Sequence, residues 1–369
     1  MVAKDPQAQS AMLTLVRESR GMTQTDVAAA MAEASGGTGV SVSQGYVSKA
    51  ESGRLVVTGE RLELYAAALS YPPDLLCLDP QVHGVGVGLI HHRKRASLPV
   101  GALRRIHAQL ALTRIQLNGL YRAAGEENPQ ADFPQVELSD LVTAKDAARL
   151  VRKRWGMPAG PVTDVVRSAE EAGALVVLRD LDSDLLDAAS QWTAGQAPLF
   201  LVNSRAPGDR CRFSVAHEIG HLVLHREPGS GPEQEKQADA FASEFLMPAS
   251  DIRGEFTGGI DITKLIGLKR SWRVSMSALL RRAMSLNAIT DWQYRTVIIE
   301  MSALGYRTSE PVHVPLEEPC RVPFLVDRLL EERTLTTEQA ASSARLLPAD
   351  FVRLYREGNR LLSVNPPRR

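Results

Sequence analysis

The sequence lacks an excess of either charge: 43 Lys and Arg are balanced by 43 Asp and Glu. The whole-molecule field therefore gives no reason for strong, non-specific attraction to nucleic acid or to a membrane. Any such attraction must be local. Cysteine is scarce as well. Its three copies, Cys77, Cys211 and Cys320, are far apart, which argues against a disulfide framework and fits a reducing compartment. Residues 1–10 are polar and lack the apolar stretch of a secretion signal. No apolar run approaches the roughly 20 residues that a bilayer span needs. The expected location is cytoplasmic, with no membrane partner. Apolar residues are present in quantity, at 44% of 369, enough to bury a core in two or three domains.

The first 70 or so residues alternate helical patterns with short breaks and close on Tyr71-Pro72-Pro73. Gly84-Val85-Gly86-Val87-Gly88 reads as a connector. From Gln81 to Gly125 there is no acid at all, whereas Arg93, Lys94, Arg95, Arg104, Arg105, Arg114 and Arg122 are present. Leu103, Ile106, Leu110, Leu112, Ile115, Leu117 and Leu120 recur at near-helical spacing, so a long connecting helix is expected, its basic face solvated or, as the second reading, in contact with phosphate. Gly125 to Pro134 marks a further break. Beyond it, helical patterns over Leu141 to Trp155 and Val162 to Ala172 accompany two short apolar runs, Ala174 to Leu178 and Pro198 to Val202, that suit buried strands. The remainder is helical in pattern, with a break at Gly305 to Pro323. Few strands among many helices indicate an α+β fold.

The strongest chemical signal is His217-Glu218-Ile219-Gly220-His221 within an apolar run. Residues four apart share one face of a helix, so both imidazoles can reach one ion with Glu218 beside them. Zinc held by two neutral His and a carboxylate keeps a position for water, and Glu218 can accept that water's proton and deliver it to a leaving amine. His-Glu-x-x-His arises by chance in roughly one chain in a hundred of this length, so the helical, apolar context decides in its favour. A third ligand is expected from the segment Glu233 to Pro248, where Ala238, Phe241, Ala242 and Phe245 recur at helical spacing. Glu235 falls on the same stripe, where a carboxylate would be costly unless paired or metal-bound. Asp239, one turn on, could be the ligand instead, or an acceptor that orients a histidine. His225 reads as a capping or packing residue. Cys211 reads as a buried, inert thiol.

Together these residues resemble the ImmA/IrrE family of metallopeptidases. The resemblance runs through Arg212-Phe213, His217 to His221 and Glu235 to Pro248, and extends to Trp155 to Val162, Asn203 and Leu268 to Ser275. It implies a zincin-like domain, zinc as cofactor, His217, His221 and Glu235 as ligands, and Glu218 as general base. Gln237 stands where many relatives have a second acid. Relatives of this kind cut helix-turn-helix repressors, so the implied partner is a repressor or an antitoxin-like protein.

Residues 11–70 resemble the Xre/Cro helix-turn-helix domains through Leu15 to Ala28 and Val47 to Arg54. Thr23 is a natural N-cap for a helix beginning at Gln24 and running to Met31. Ser43 to Glu51 would be the recognition helix. The expected contacts to double-stranded DNA are Gln24, Ser43, Gln44, Tyr46, Ser48, Lys49 and Arg54. Ser43 or Gln44 would read base edges, while Lys49 and Arg54 would neutralise phosphates. Ala34 to Gly39 is longer than the usual three- or four-residue turn, and Glu18, Asp26, Glu33, Glu51, Glu60 and Glu63 thin the positive charge. Formation of a homodimer would offset that.

The sequence thus predicts a mostly helical α+β chain: an all-α helix-turn-helix domain (1–75), a basic helical connector (76–134), a zincin-like domain with a small sheet (135–310), and a C-terminal helical region (311–369). The expected function is zinc-dependent cleavage of a repressor or antitoxin-like protein, coupled to DNA binding. The competing expectation is a DNA-binding regulator or antitoxin whose zinc site is not catalytic.

Overall fold

A computed structural model of the chain describes residues 6–36, 42–80, 89–94, 99–193, 195–226, 231–332 and 335–358. Gly84 to Gly88 and the middle of the long turn, 37–41, lie outside these described residues. The first helices form as their caps and apolar spacing require. They are α1 (Ser10–Ser19), α2 (Gln24–Ala34), α3 (Gln44–Glu51), α4 (Gly59–Leu69) and α5 (Pro73–Leu76). Thr23 and Asp26 form a reciprocal capping box that starts α2 at Gln24. The helix runs one turn past the expected end at Met31. Met12, Leu13, Val16, Val27, Met31, Val47, Tyr65 and Leu69 are buried together.

The 25-residue helix α6 (Val100–Ala124) begins after Pro99 and ends where Gly125 turns to φ +66°, a left-handed stop that suits glycine. It is not the solvated connector that its arginines suggested. Ile106, Ala108, Leu110, Leu112, Ile115, Leu117 and Leu120 are buried around several faces, because α1 packs on one side and strands and C-terminal helices on the others. Arg114 is itself buried and donates to the carbonyls of Ala197 and Gln191. A buried cation in this helix braces the sheet instead of facing phosphate.

Four strands form one sheet in the order β1-β3-β4-β2: β1 (Leu89–Lys94), β2 (Leu175–Arg179), β3 (Leu186–Trp192) and β4 (Leu199–Asn203). β2 and β4 are parallel, and β3 is antiparallel to both β4 and β1. Side chains alternate between sheet faces, and here both faces are covered. Leu175, Val177, Leu199 and Leu201 enter the core shared with α6 and the helix-turn-helix. Val176, Leu178, Phe200 and Val202 enter a second core on the other side. The sheet is therefore the wall between two cores, which is why β2 and β4 read as unbroken apolar runs.

The second core gathers α7 (Ala144–Arg154), α8 (Val165–Glu171), α9 (Gly208–Leu224), α10 (Pro232–Leu246), the short α11 (Ala249–Ile252), α12 (Ile262–Trp272), α13 (Met276–Ser285) and α14 (Asp291–Ala303). The last helices are α15 (Arg321–Glu331), α16 (Thr337–Ser343) and α17 (Pro348–Phe351). They return to α6 and the helix-turn-helix. Tyr355 donates to Gln116 at 2.7 Å, Arg20 pairs with Asp350 at 2.8 Å, and Arg345 pairs with Asp74. No helix among the described residues is long and apolar enough to cross a membrane.

Candidate active site

Helix α9 is buried along almost its whole length, and α10 packs along it. Gly220 permits that approach: a Cβ there would lie 3.1 Å from the Phe241 side chain. The glycine between the two histidines thus sets how near the second helix can come. At the start of α9, a Cβ on Gly208 would collide with the carbonyls of Val314 and Pro315. Arg212 holds the same segment through a buried ion pair with Glu317, whose carboxylate also accepts from the Val165 and Val166 amides at 2.9 and 3.1 Å. The Arg-Phe lead into the motif therefore anchors the helix that carries it.

His217, His221 and Glu235 converge. The two Nε2 atoms are 3.0 Å apart, and the Glu235 carboxylate oxygens lie 3.4 Å from each. Two ligands about 2.0–2.1 Å from one tetrahedral ion would sit roughly 3.3 Å apart, so the spacing suits a shared small cation. The outer nitrogens show why these faces turn inward. His217 Nδ1 donates to Asp239 at 2.9 Å, which leaves its Nε2 as a lone pair. His225 Nε2 lies 2.9 Å from the Gln237 amide oxygen and its Nδ1 lies 2.9 Å from His221 Nδ1. With His225 donating to Gln237, its Nδ1 must accept from His221, and His221 Nε2 is then also a lone pair. The two Nε2 atoms and the carboxylate thus face one another at the spacing that ligands of one cation take. Glu235 Oε1 is accordingly buried without a hydrogen bond of good geometry.

The electrostatics agree. Burial pushes His221 down to about 4, with only partial compensation from Glu235, so its imidazole is neutral and able to bind a metal at physiological pH. Burial alone would raise the Glu235 carboxyl, but the two imidazoles that face it outweigh burial and hold it well below the usual carboxylate range. The histidines are fully buried, while the Glu235 side chain is 30% exposed and that of Asp239 48%. Solvent therefore reaches this centre from the α10 side.

Glu218 is fully buried on α9, and the Ser190 hydroxyl donates to its carboxylate at 2.6 Å. Ser190 was not legible as a site residue. It comes from β3, and its partner in register is Phe200, which faces the same core as α9. His225 and Gln237 were also undervalued. His225 caps α9 and, with Gln237, orients a ligand. Asp239 faces the outer nitrogen of His217, and Glu235 faces the inner nitrogens of both histidines. Cys211 is buried and its thiol is pushed up by burial, as expected of an inert packing residue.

The DNA-facing candidates form a separate group. Gln44 donates to Gln24 at 2.7 Å, and Gln24 to Glu51 at 3.0 Å, while Arg17 grips both Glu51 oxygens at 2.6 and 3.0 Å. Glu51 is therefore neutralised within the domain and opposes phosphate less than its charge suggested. Ser43 is the N-cap of α3, accepting from the Tyr46 amide at 3.2 Å. Tyr46 is half-buried beneath Arg61, Ser48 is half-buried, and Lys49 and Arg54 are exposed.

Residues 169–284 match the model of the M78 peptidases, described as the IrrE N-terminal-like domain. That part of the chain is similar to the M78 peptidases. The match spans β2, β3, β4 and α9 to α13, and so contains His217, Glu218, His221, Glu235 and Ser190. Residues 13–76 match a helix-turn-helix model, so a DNA-binding type of domain precedes the M78 domain in the order expected. A comparison with curated proteins found no match.

Proposed function

We propose that the chain is a zinc-dependent endopeptidase that cuts a helix-turn-helix repressor or an antitoxin-like protein, and that its own helix-turn-helix binds double-stranded DNA. The reading rests on one observation: the Nε2 atoms of His217 and His221 and the Glu235 carboxylate converge at 3.0–3.4 Å, on a helix whose buried Glu218 directly follows His217. A divalent ion bound there would supply a Lewis acid and lower the pKa of a water molecule. His217, His221 and Glu235 would hold it, with Asp239 and the His225–Gln237 pair keeping both imidazoles in the ligating tautomer. Glu218 takes the proton of the attacking water and passes it to the amine that leaves. Ser190 holds the Glu218 oxygen not engaged in that transfer. In this reading residues 1–75 bind DNA through Gln24, Ser43, Gln44, Tyr46, Ser48, Lys49 and Arg54. Residues 135–310 cut, and 76–134 together with 311–369 join the two. The protein works in the cytoplasm.

Metal content per chain of the wild type and of His217→Ala, with the product of the adjacent gene added as candidate substrate, tests this. One zinc per wild-type chain, lost in the variant together with cleavage, is the expected result. Metal-free wild type that still binds DNA would overturn the enzyme and leave a regulator. Glu218→Gln separates the two further: a peptidase loses its biological output with zinc retained, whereas a regulator keeps its output there and loses it when Gln44 and Lys49 are changed.

A further inference from the structure

A peptidase must lay an extended stretch of substrate beside its base. Among the described residues, β3 is the strand that reaches Glu218, through Ser190, and it lies between β4 and β1. The inner edge of β3 is taken by β4, from Ala188↔Val202 to Gln191↔Leu199. The outer edge is taken by β1, antiparallel, from Leu89↔Trp192 to Lys94↔Leu186, with His91 in register with Ser190. β1 also runs beside α9. We propose that β1 occupies the position of an extended peptide substrate, so that the β3 edge is a strand-addition site whose resident occupant is the chain's own Leu89–Lys94. The proposal rests on the peptidase reading above.

Two features make β1 an exchangeable occupant and not a fixed member of the sheet. Its register is irregular between His92 and Lys94, which costs ladder bonds. Its composition, Leu-Ile-His-His-Arg-Lys, departs from the apolar runs of β2 and β4 and resembles the charged edges that pair weakly. Strand addition draws on main-chain hydrogen bonds, so a peptide of another sequence can replace it. The partner that fits is an extended, unfolded segment of a protein, admitted only when β1 leaves. A folded helix-turn-helix would have to expose such a segment before being cut.

The test uses the full chain without metal and a fluorescein-labelled peptide with the sequence of residues 87–96, followed by fluorescence anisotropy. Ile90→Pro/His91→Pro removes one amide of each orientation from the β1 ladder. If β1 is docked nine-tenths of the time or more, the variant binds the peptide at least about tenfold more tightly than wild type. Backbone amides of residues 186–192 should exchange faster in the variant and slow again when the peptide is added. Equal affinity in both proteins, or unchanged exchange at 186–192, would overturn the proposal. Hydrogen exchange at α9, α10, β2 and β4 reports whether the variant is folded. Should it not fold, Ile90→Cys/Gln191→Cys, a pair in register, locks β1 in place when oxidised. Peptide binding should then vanish until the bond is reduced, and binding unaffected by the lock would equally overturn the proposal. Tighter peptide binding by the proline variant without casein hydrolysis by either zinc-loaded protein would keep the strand-exchange site and sink the peptidase reading alone.

Discussion

The two cores separated by the sheet differ in how they treat buried charge. On the α6 side the interior is nearly all apolar, and its buried cation, Arg114, is bonded to backbone carbonyls. On the α9 side, Arg152 is likewise held by carbonyls, but the other buried cations sit in carboxylate pairs around α9 and α10. Arg212 meets Glu317, Arg282 meets Glu244, and Lys269 meets Asp209 at 2.5 Å and Glu310 at 2.6 Å. Such pairs seldom add net stability over apolar packing, because desolvation offsets their attraction. What they do here is fix where α9, α10, α12 and α13 stand relative to one another. A site that needs three ligands within a few tenths of an ångström requires that, whereas a scaffold that only joins domains does not.

The comparison can be broken most severely at the centre itself. Glu218→Gln should lower hydrolysis by about 10²–10⁴-fold while metal content, measured by atomic absorption, stays at the wild-type level. Loss of metal in this variant would mean that the carboxylate has a structural role. Next comes the brace. Glu244→Ala leaves Arg282 buried without its carboxylate, and a loss of about 3–5 kcal/mol is expected in urea unfolding; a loss below about 1 kcal/mol would show that the pair does not bear on the fold. Gln237→Leu removes the acceptor that sets the His225 tautomer, and a 10–100-fold weaker zinc affinity is expected from competition with a chelator. Unchanged affinity there would leave His225 as a cap alone. On the helix-turn-helix side effects should be smaller: Thr23→Ala removes the α2 cap for about 1 kcal/mol, read by the same unfolding titration.

The smallest effect concerns the join between the two sides. Asp350 is raised by burial but lowered further by its hydrogen bonds to Arg20 and Arg353, with a net shift downward. A depressed carboxylate contributes stability above its unfolded pKa, about 3.9, and loses it as pH falls through the lower folded value. The difference in thermal stability between wild type and Asp350→Asn should therefore be present at pH 6 and shrink below about pH 4. A difference that grows on acidification would contradict the pairing with Arg20.

Much of this protein was legible because its signals are local. The spacing of His217 and His221, the Thr23 cap and the apolar runs of β2 and β4 all act within a turn or a strand, where covalent geometry leaves little choice. Glu235 was legible too, since a carboxylate on an apolar helix stripe demands a partner. β3 was hidden because Asp187, Ser190 and Gln191 interrupt its apolar pattern, and the first two make sense only beside Arg210 and Glu218. α6 was misjudged for a related reason: a helix covered on several sides has no single apolar face to read. The sequence by itself determined the helix-turn-helix, the pairing of His217 with His221 on one helix face and the α+β class. Only the tertiary structure decided that the C-terminal helices return to the helix-turn-helix side, that Ser190 reaches Glu218, and that β1 lies along the outer edge of β3. Those are contacts across many residues, set by which surfaces exclude water together, and no window along the chain contains both partners.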